Sequence, residues 1–135
     1  MNENKRSHLE MIQGVVNCLS QNSFLLKGWS VVLVSALMAL AAKGANLFFI
    51  FLAYLPVVVF WFLDGYFLWQ EKLFRSLYDN VRNVADDKID FSMNTSIVRE
   101  KVGSVTKVIL SKTLIAFHVV IILSIIVVMI LLPSK

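Results

Sequence analysis

The sequence predicts an all-α integral membrane protein with three transmembrane helices, long amphipathic helical extensions on the cytoplasmic side, and assembly as a homo-oligomer. Three observations lead there. Hydrophobic residues fill 58% of the 135 positions and charged ones only 16%, against roughly 45–50% and 25% in soluble domains. The apolar residues collect in three stretches long enough to cross about 30 Å of hydrocarbon. The basic residues fall mostly on one side of those stretches. A unit this small keeps a high surface-to-volume ratio and could not hide so much apolar surface from water. The surplus has to face lipid or other copies.

In chain order, the first element is an amphipathic helix over 7–26. Leu9, Ile12, Val16, Leu19 and Leu26 recur at steps suited to one helical stripe. The first span covers 24–42, with the single charge Lys27 at its leading edge. Ala39-Leu40-Ala41 mimics a signal-peptidase site, but the stretch before Trp29 is too long for a leader and a second apolar segment follows at once. An uncleaved hairpin is therefore expected. Lys43-Gly44-Ala45-Asn46 forms its turn, and the second span, 47–63, carries no charge until Asp64. At 1.5 Å per residue that span is short, about 25 Å, and interfacial aromatics and a snorkelling Lys27 would make up the difference.

A second amphipathic helix is predicted over 64–82. Phe67, Phe74, Leu77, Tyr78 and Val81 form its apolar stripe, with Glu71, Lys72, Arg75, Asp79 and Arg82 on the other face. Glu71 and Asp79 each stand four residues from Arg75, a spacing that supports an exposed helix. Residues 83–96, with Asp86-Asp87-Lys88-Ile89-Asp90, read as a polar loop. A third amphipathic helix over 97–112, striped by Val98, Val102, Val105 and Ile109 and bent at Gly103-Ser104, leads into the third span, 113–132.

Charge sets the orientation. Lys5, Arg6 and Lys27 precede or open the first span, and Lys72, Arg75, Arg82, Lys88, Arg99, Lys101, Lys107 and Lys112 lie between the second and third. Only Lys43 and Lys135 fall on the other side. Positive residues stay inside, so the N-terminus and 64–112 are expected in the cytoplasm of a bacterial inner membrane, with the C-terminus in the periplasm. Trp29, Trp61 and Trp69 fall near the cytoplasmic ends of their segments, where indoles anchor at the headgroup level.

Several functions are disfavoured. The net charge of +4 comes without a basic run interleaved with aromatics, so no nucleic-acid partner is expected. Cys18 is the sole cysteine and cannot form an internal disulfide. The acidic cluster at 86–90 lacks the alternating ligands, central glycine and terminal glutamate of a calcium loop. No phosphate-cradling loop, metal-ligand spacing or serine–histidine pairing is legible, so neither enzymatic activity nor a cofactor is expected.

Four features stand out as candidate sites. Counted from the hairpin turn, Lys27 and Asp64 reach the cytoplasmic boundary at similar depth. They would form an interfacial ion pair, contact headgroups independently, or make a gate by oligomerisation. His118 lies inside the third span and would make an intramembrane polar contact or line a pore. Pro56 breaks the backbone bonding of the second span by freeing the Leu52 carbonyl, which makes a kink or a hinge. Ser35 and Ala39 form a small-xxx-small surface on the first span.

The order from His8 to Arg82 is an amphipathic helix, a polar step at Gln21-Asn22-Ser23-Phe24, a tight hairpin and an aromatic-rich exit, Trp61-Phe62-Leu63-Asp64 to Leu68-Trp69-Gln70. This layout resembles SLATT-type effector domains and small octameric inner-membrane proteins of bacteria. The resemblance implies self-assembly in the inner membrane and a role as a pore-forming effector of antiphage or nucleotide-signalled immunity. A third span and the lack of a recognisable sensor domain depart from that pattern, so a trigger would arrive through a partner protein or the 83–112 segment. The competing expectations are a pore-forming or membrane-perturbing oligomer and a non-conducting anchor that recruits a cytoplasmic partner. A small transporter fits less well, since no internal repeat is visible.

Overall fold

The computed structural model describes residues 1–44 and 46–132. Ala45 of the predicted turn and Lys135, counted above on the outer side, lie outside them. Every regular element among the described residues is helical. The chain forms α1 (Glu3–Gly44), α2 (Leu47–Asn83), two 3₁₀ turns (Asp86–Lys88 and Ser96–Val98), the short helices α3 (Arg99–Val102) and α4 (Val105–Ile109), and α5 (Lys112–Leu131). The three long helices are long and apolar enough to cross a membrane.

α1 is one helix of 42 residues, about 63 Å at 1.5 Å per residue. The polar step at 21–24 does not interrupt it, because none of those residues lacks a backbone donor or favours a non-helical backbone strongly enough to break the ladder. The predicted amphipathic helix and first span therefore fuse. α2 is likewise one rod of 37 residues, about 56 Å long. Asn46 starts it: its side chain accepts from the Phe48 N–H at 3.0 Å, satisfying one of the free donors of the first turn. The helix runs on through Pro56.

The two rods pack antiparallel, as the contacts at each end demand. Near the turn, Val34 and Ala41 of α1 meet Ile50, Ala53 and Val57 of α2, and Ile121 and Ile125 of α5 complete the cluster. At the far end Leu9 and Ile12 meet Leu73, Leu77 and Val81, with Val98 from the returning chain. Removing these aliphatic faces from water stabilises by about 1.5–3 kcal/mol per fully buried Leu, Ile or Val side chain.

Three expectations need correction. First, 97–112 is not one helix. Gly103 stands at φ +85° and closes α3 with its N–H on the Arg99 carbonyl, a backbone conformation that glycine adopts without steric cost. Ser104 then caps α4 through the Lys107 N–H, and a second break at Leu110–Ser111 precedes α5. Val98 of the predicted stripe is buried, and so is Val108, which the stripe did not include. Second, Glu71 is not on an open face: it is 8% exposed, and its carboxylate accepts from Arg75 Nε at 2.9 Å and lies 2.8 Å from Nη2. With Arg75 taken up in this way, Asp79 pairs with Arg82 at 3.7 Å instead. Third, Asp86 is not simply solvated. It accepts the Asn2 N–H at 2.7 Å and meets Lys5 Nζ at 3.2 Å, while Lys5 also donates to the Val84 carbonyl at 2.6 Å. The start of α1 is thereby tied to the chain leaving α2.

Candidate functional site

A polar layer separates the two apolar clusters. On α1, Ser23 and Lys27 are four residues apart and so share one face of the helix. On α2, Asp64 falls between Val57 of one cluster and Leu73 of the other, and on α5 His118 lies one turn before Ile121. Helical spacing brings all four to one point. Asp64 and His118 have no exposed surface, and Ser23 is 7% exposed.

Asp64 is the hub. Its Oδ2 lies 2.6 Å from Lys27 Nζ and 3.3 Å from His118 Nε2, and Ser23 Oγ donates to its Oδ1. Ser23 in turn accepts from Lys27 Nζ at 3.0 Å, which closes a ring of contacts between α1 and α2. One carboxylate thus engages all three long helices. With a neutral imidazole the charges of Lys27 and Asp64 cancel, which limits the cost of burying them. In that state an Nε2 proton is donated to Asp64 and Nδ1 is left as an acceptor. Nδ1 is buried and has no protein partner.

Aromatic rings enclose the layer. The Trp61 indole lies flat on His118, with centroids 5.5 Å apart and planes 7° from parallel, and Phe117 meets the imidazole edge-on at 5.1 Å. Lys27 Nζ stands 5.9 Å from the centre of the Phe117 ring, within the range of a cation–π attraction. Trp61 also donates its Nε1–H to the Ile109 carbonyl at 3.0 Å. Beside it, Gly65 provides the space for Ile109: a Cβ at Gly65 would fall 2.3 Å from Ile109 Cγ1. α4 is therefore seated against α2 next to Asp64, and this seat sets where α5 begins.

The predicted residues divide accordingly. Lys27, Asp64 and His118 are brought together. Trp61 belongs to their wall, and Trp69 pins the connecting segment by donating to the Gly103 carbonyl at 3.0 Å with Arg99 over its ring at 5.4 Å. Trp29 makes no such tie and is 59% exposed. Pro56 lies about two turns from Asp64 along α2, away from the layer. Ser35 and Ala39 are exposed on α1.

From sequence, Ser23 enters only as part of the polar step at 21–24 and His8 only as a segment boundary, and Gly65 carries no role. The four-residue step to Lys27 was a usable signal for Ser23. Gly65 had none beyond adjacency to Asp64. His8 is fully buried at the far end of α1, with neither ring nitrogen partnered, edge-on to Phe91 at 5.6 Å. Phe91 sits at φ 55°, uncommon for a residue with a side chain, and this turn carries its ring over His8.

Among the described residues no group of three or more His, Cys, Asp or Glu side chains is placed to hold a metal ion. Compared with known proteins, the chain matches no family model, no curated protein and no solved structure.

Proposed function

We propose that this chain is a multi-pass protein of a bacterial inner membrane, with its N-terminus and residues 64–112 in the cytoplasm, and that it self-assembles into a pore-forming or membrane-perturbing effector of the defence type its layout resembles. One observation carries the reading: a carboxylate with no exposure, Asp64, is shared by partners on α1 and α5 at the level where the first two apolar stretches end. Ionisable groups at membrane depth are costly and mark function by default. Buried ion pairs add little stability over apolar packing, and their best-attested roles are fixing register and switching.

The spans leave ample surface for assembly. Only 17%, 22% and 22% of the most apolar windows of α1, α2 and α5 are buried within the chain, so most of each span faces lipid or other copies. Three helices packed on one another leave space for a conducting path only between copies. The Asp64 layer then acts as a lock: while it holds, the three spans move as one body, and loosening it frees them to repack against neighbours.

The test is paired. Induced expression is expected to collapse the membrane potential of bacterial cells, and the purified chain to release trapped dye from liposomes. Asp64→Asn, which weakens the lock, raises the leak several-fold per inserted copy. A leak indifferent to that substitution removes the gating role. No permeability under any condition, together with tight capture of a cytoplasmic protein, favours the anchor reading instead. That second reading draws on Phe91, Met93 and Ile97, which leave apolar surface open on the connecting segment.

A further inference from the structure

A groove lined by residues of α1 and α5 runs between those helices, with a volume of about 620 Å³. Its walls include Val31, Ser35 and Met38 of α1 and Ala116, Phe117 and Val120 of α5. We propose that this groove holds one acyl chain of an anionic phospholipid of the inner leaflet, with the headgroup phosphate against Lys112. The proposal rests on the membrane reading above and is independent of whether the protein conducts.

The groove's position sets the depth of its occupant. It starts at Thr113, the residue after Lys112, at the end of α5 that meets the cytoplasmic connection, and extends along α5 to Ser124. That is about 16 Å at 1.5 Å per residue, suited to a chain hanging from the headgroup level toward the midplane. The lining is mostly apolar, and at its inner end the Ser124 hydroxyl already donates to the Val120 carbonyl at 2.8 Å.

Charge complements a phosphate at the mouth. Lys112 is exposed. Lys27 lies against Phe117 of the groove wall and has a third N–H beyond those facing Ser23 and Asp64. The first N–H groups of α5 are open as well, because the Ser111 side chain does not cap them, and free amides at a helix start favour anions. The cytoplasmic leaflet carries anionic headgroups that attract basic residues at its surface. A helix from a second copy would fill the apolar walls but bring no anion to the basic mouth.

The full chain, reconstituted in phosphatidylcholine vesicles with a small fraction of chain-labelled spin-probe phosphatidylglycerol, is the test. A strongly immobilised component is expected, several-fold larger than with the same label on phosphatidylcholine. Ala116→Trp fills the groove and should abolish that component. Lys112→Gln, at an exposed position that leaves folding undisturbed, should bring the two lipids to parity while the chain stays immobilised. Equal immobilisation of both lipids by the unaltered chain overturns the proposal, as does indifference to Lys112→Gln. If Ala116→Trp instead disrupts cross-linked dimers and leaves the lipid signal intact, a second copy fills the groove and the lipid assignment is wrong.

Discussion

Replacing Gly65 by alanine tests how the connecting segment is seated. In most exposed helix positions Gly→Ala stabilises, because glycine costs roughly 0.5–1 kcal/mol relative to alanine. Position 65 reverses that sign. The new Cβ would sit 2.3 Å from Ile109 Cγ1, 3.2 Å from its Cα and 3.3 Å from its Cβ. The clash is with the root of a β-branched side chain and with backbone: a change of χ1 moves Cγ1 but leaves the Cα and Cβ contacts in place. Ile109 cannot simply retreat, because Trp61 holds its carbonyl and α5 begins three residues later. Forced overpacking costs about 1–3 kcal/mol. After the helix-propensity gain, Gly65→Ala is expected to destabilise by about 1–2 kcal/mol. Gly14→Ala, on the exposed face of α1 with nothing within 4 Å of the added methyl, is expected to stabilise by up to about 1 kcal/mol. Thermal unfolding in mild detergent, followed by far-ultraviolet circular dichroism, measures both. Adding Ile109→Ala to Gly65→Ala should recover part of the loss, giving a coupling of about 1 kcal/mol in the double-mutant cycle. A Gly65→Ala protein that melts at or above the unaltered chain would refute the seating of α4 on α2.

Two further predictions concern charge. Lys27→Met leaves Asp64 buried with Ser23 and His118 alone. Because the Lys27 side chain is itself 24% exposed, the expected loss is about 3 kcal/mol, the low end of the 3–5 kcal/mol for breaking a buried pair. Lys27→Met/Asp64→Asn should unfold at a higher temperature than Lys27→Met alone, and a double variant weaker than both singles would contradict the pairing. Away from the three apolar stretches, the Asn2 N–H, followed by Lys5, holds the Asp86 carboxyl below its ordinary range. A carboxyl lowered in this way stabilises the fold above its unfolded pKa of about 3.9 and loses that contribution as pH falls through its lower folded value. Hydrogen-exchange protection of residues 84–90 should therefore be flat through neutral pH and drop below about pH 4. Asp86→Asn should lower it at neutral pH and remove the acid step.

The long helices were legible because their signal is coarse and repeated. Three apolar stretches, and stripes such as Leu9–Ile12–Val16, need only periodicity. Lys27 and Asp64 could be paired by counting outward from the turn, since two antiparallel rods of equal rise carry equal counts to equal depth. His118 could be noticed but not placed, because α5 is apolar on every face and its sequence gives no preferred rotation. The 97–112 segment misled for a related reason. Its apolar spacing suits a helix, but Gly103 and the Trp61 and Trp69 indoles hold its carbonyls in a broken path, and indole-to-carbonyl bonds across 34 or more residues leave no local trace. Gly65 shows the same limit: a glycine beside an aspartate in an apolar helix is unremarkable until the neighbour that needs the space is known.

The polar layer matters most for the helix that pattern constrains least. α1 and α2 are joined by so short a turn, with Asn46 capping the second helix, that their relative register is fixed before any side chain is considered. α5 is different. It returns after a connection of 28 residues, 84–111, and its faces of Ile, Val and Leu could pack on α2 in several rotations at nearly equal apolar gain. A shift of one residue turns a helix by about 100° and carries His118 away from Asp64, leaving a polar ring in apolar surroundings and a carboxylate short of a partner. Only one rotation and depth satisfies both. The ion pair supplies the acceptor, Trp61 the flat surface that accepts the imidazole, and Gly65 with Ile109 the point from which α5 must start. An apolar helix is held in one place by a single polar residue, because that residue is the only one for which position changes the energy by several kcal/mol.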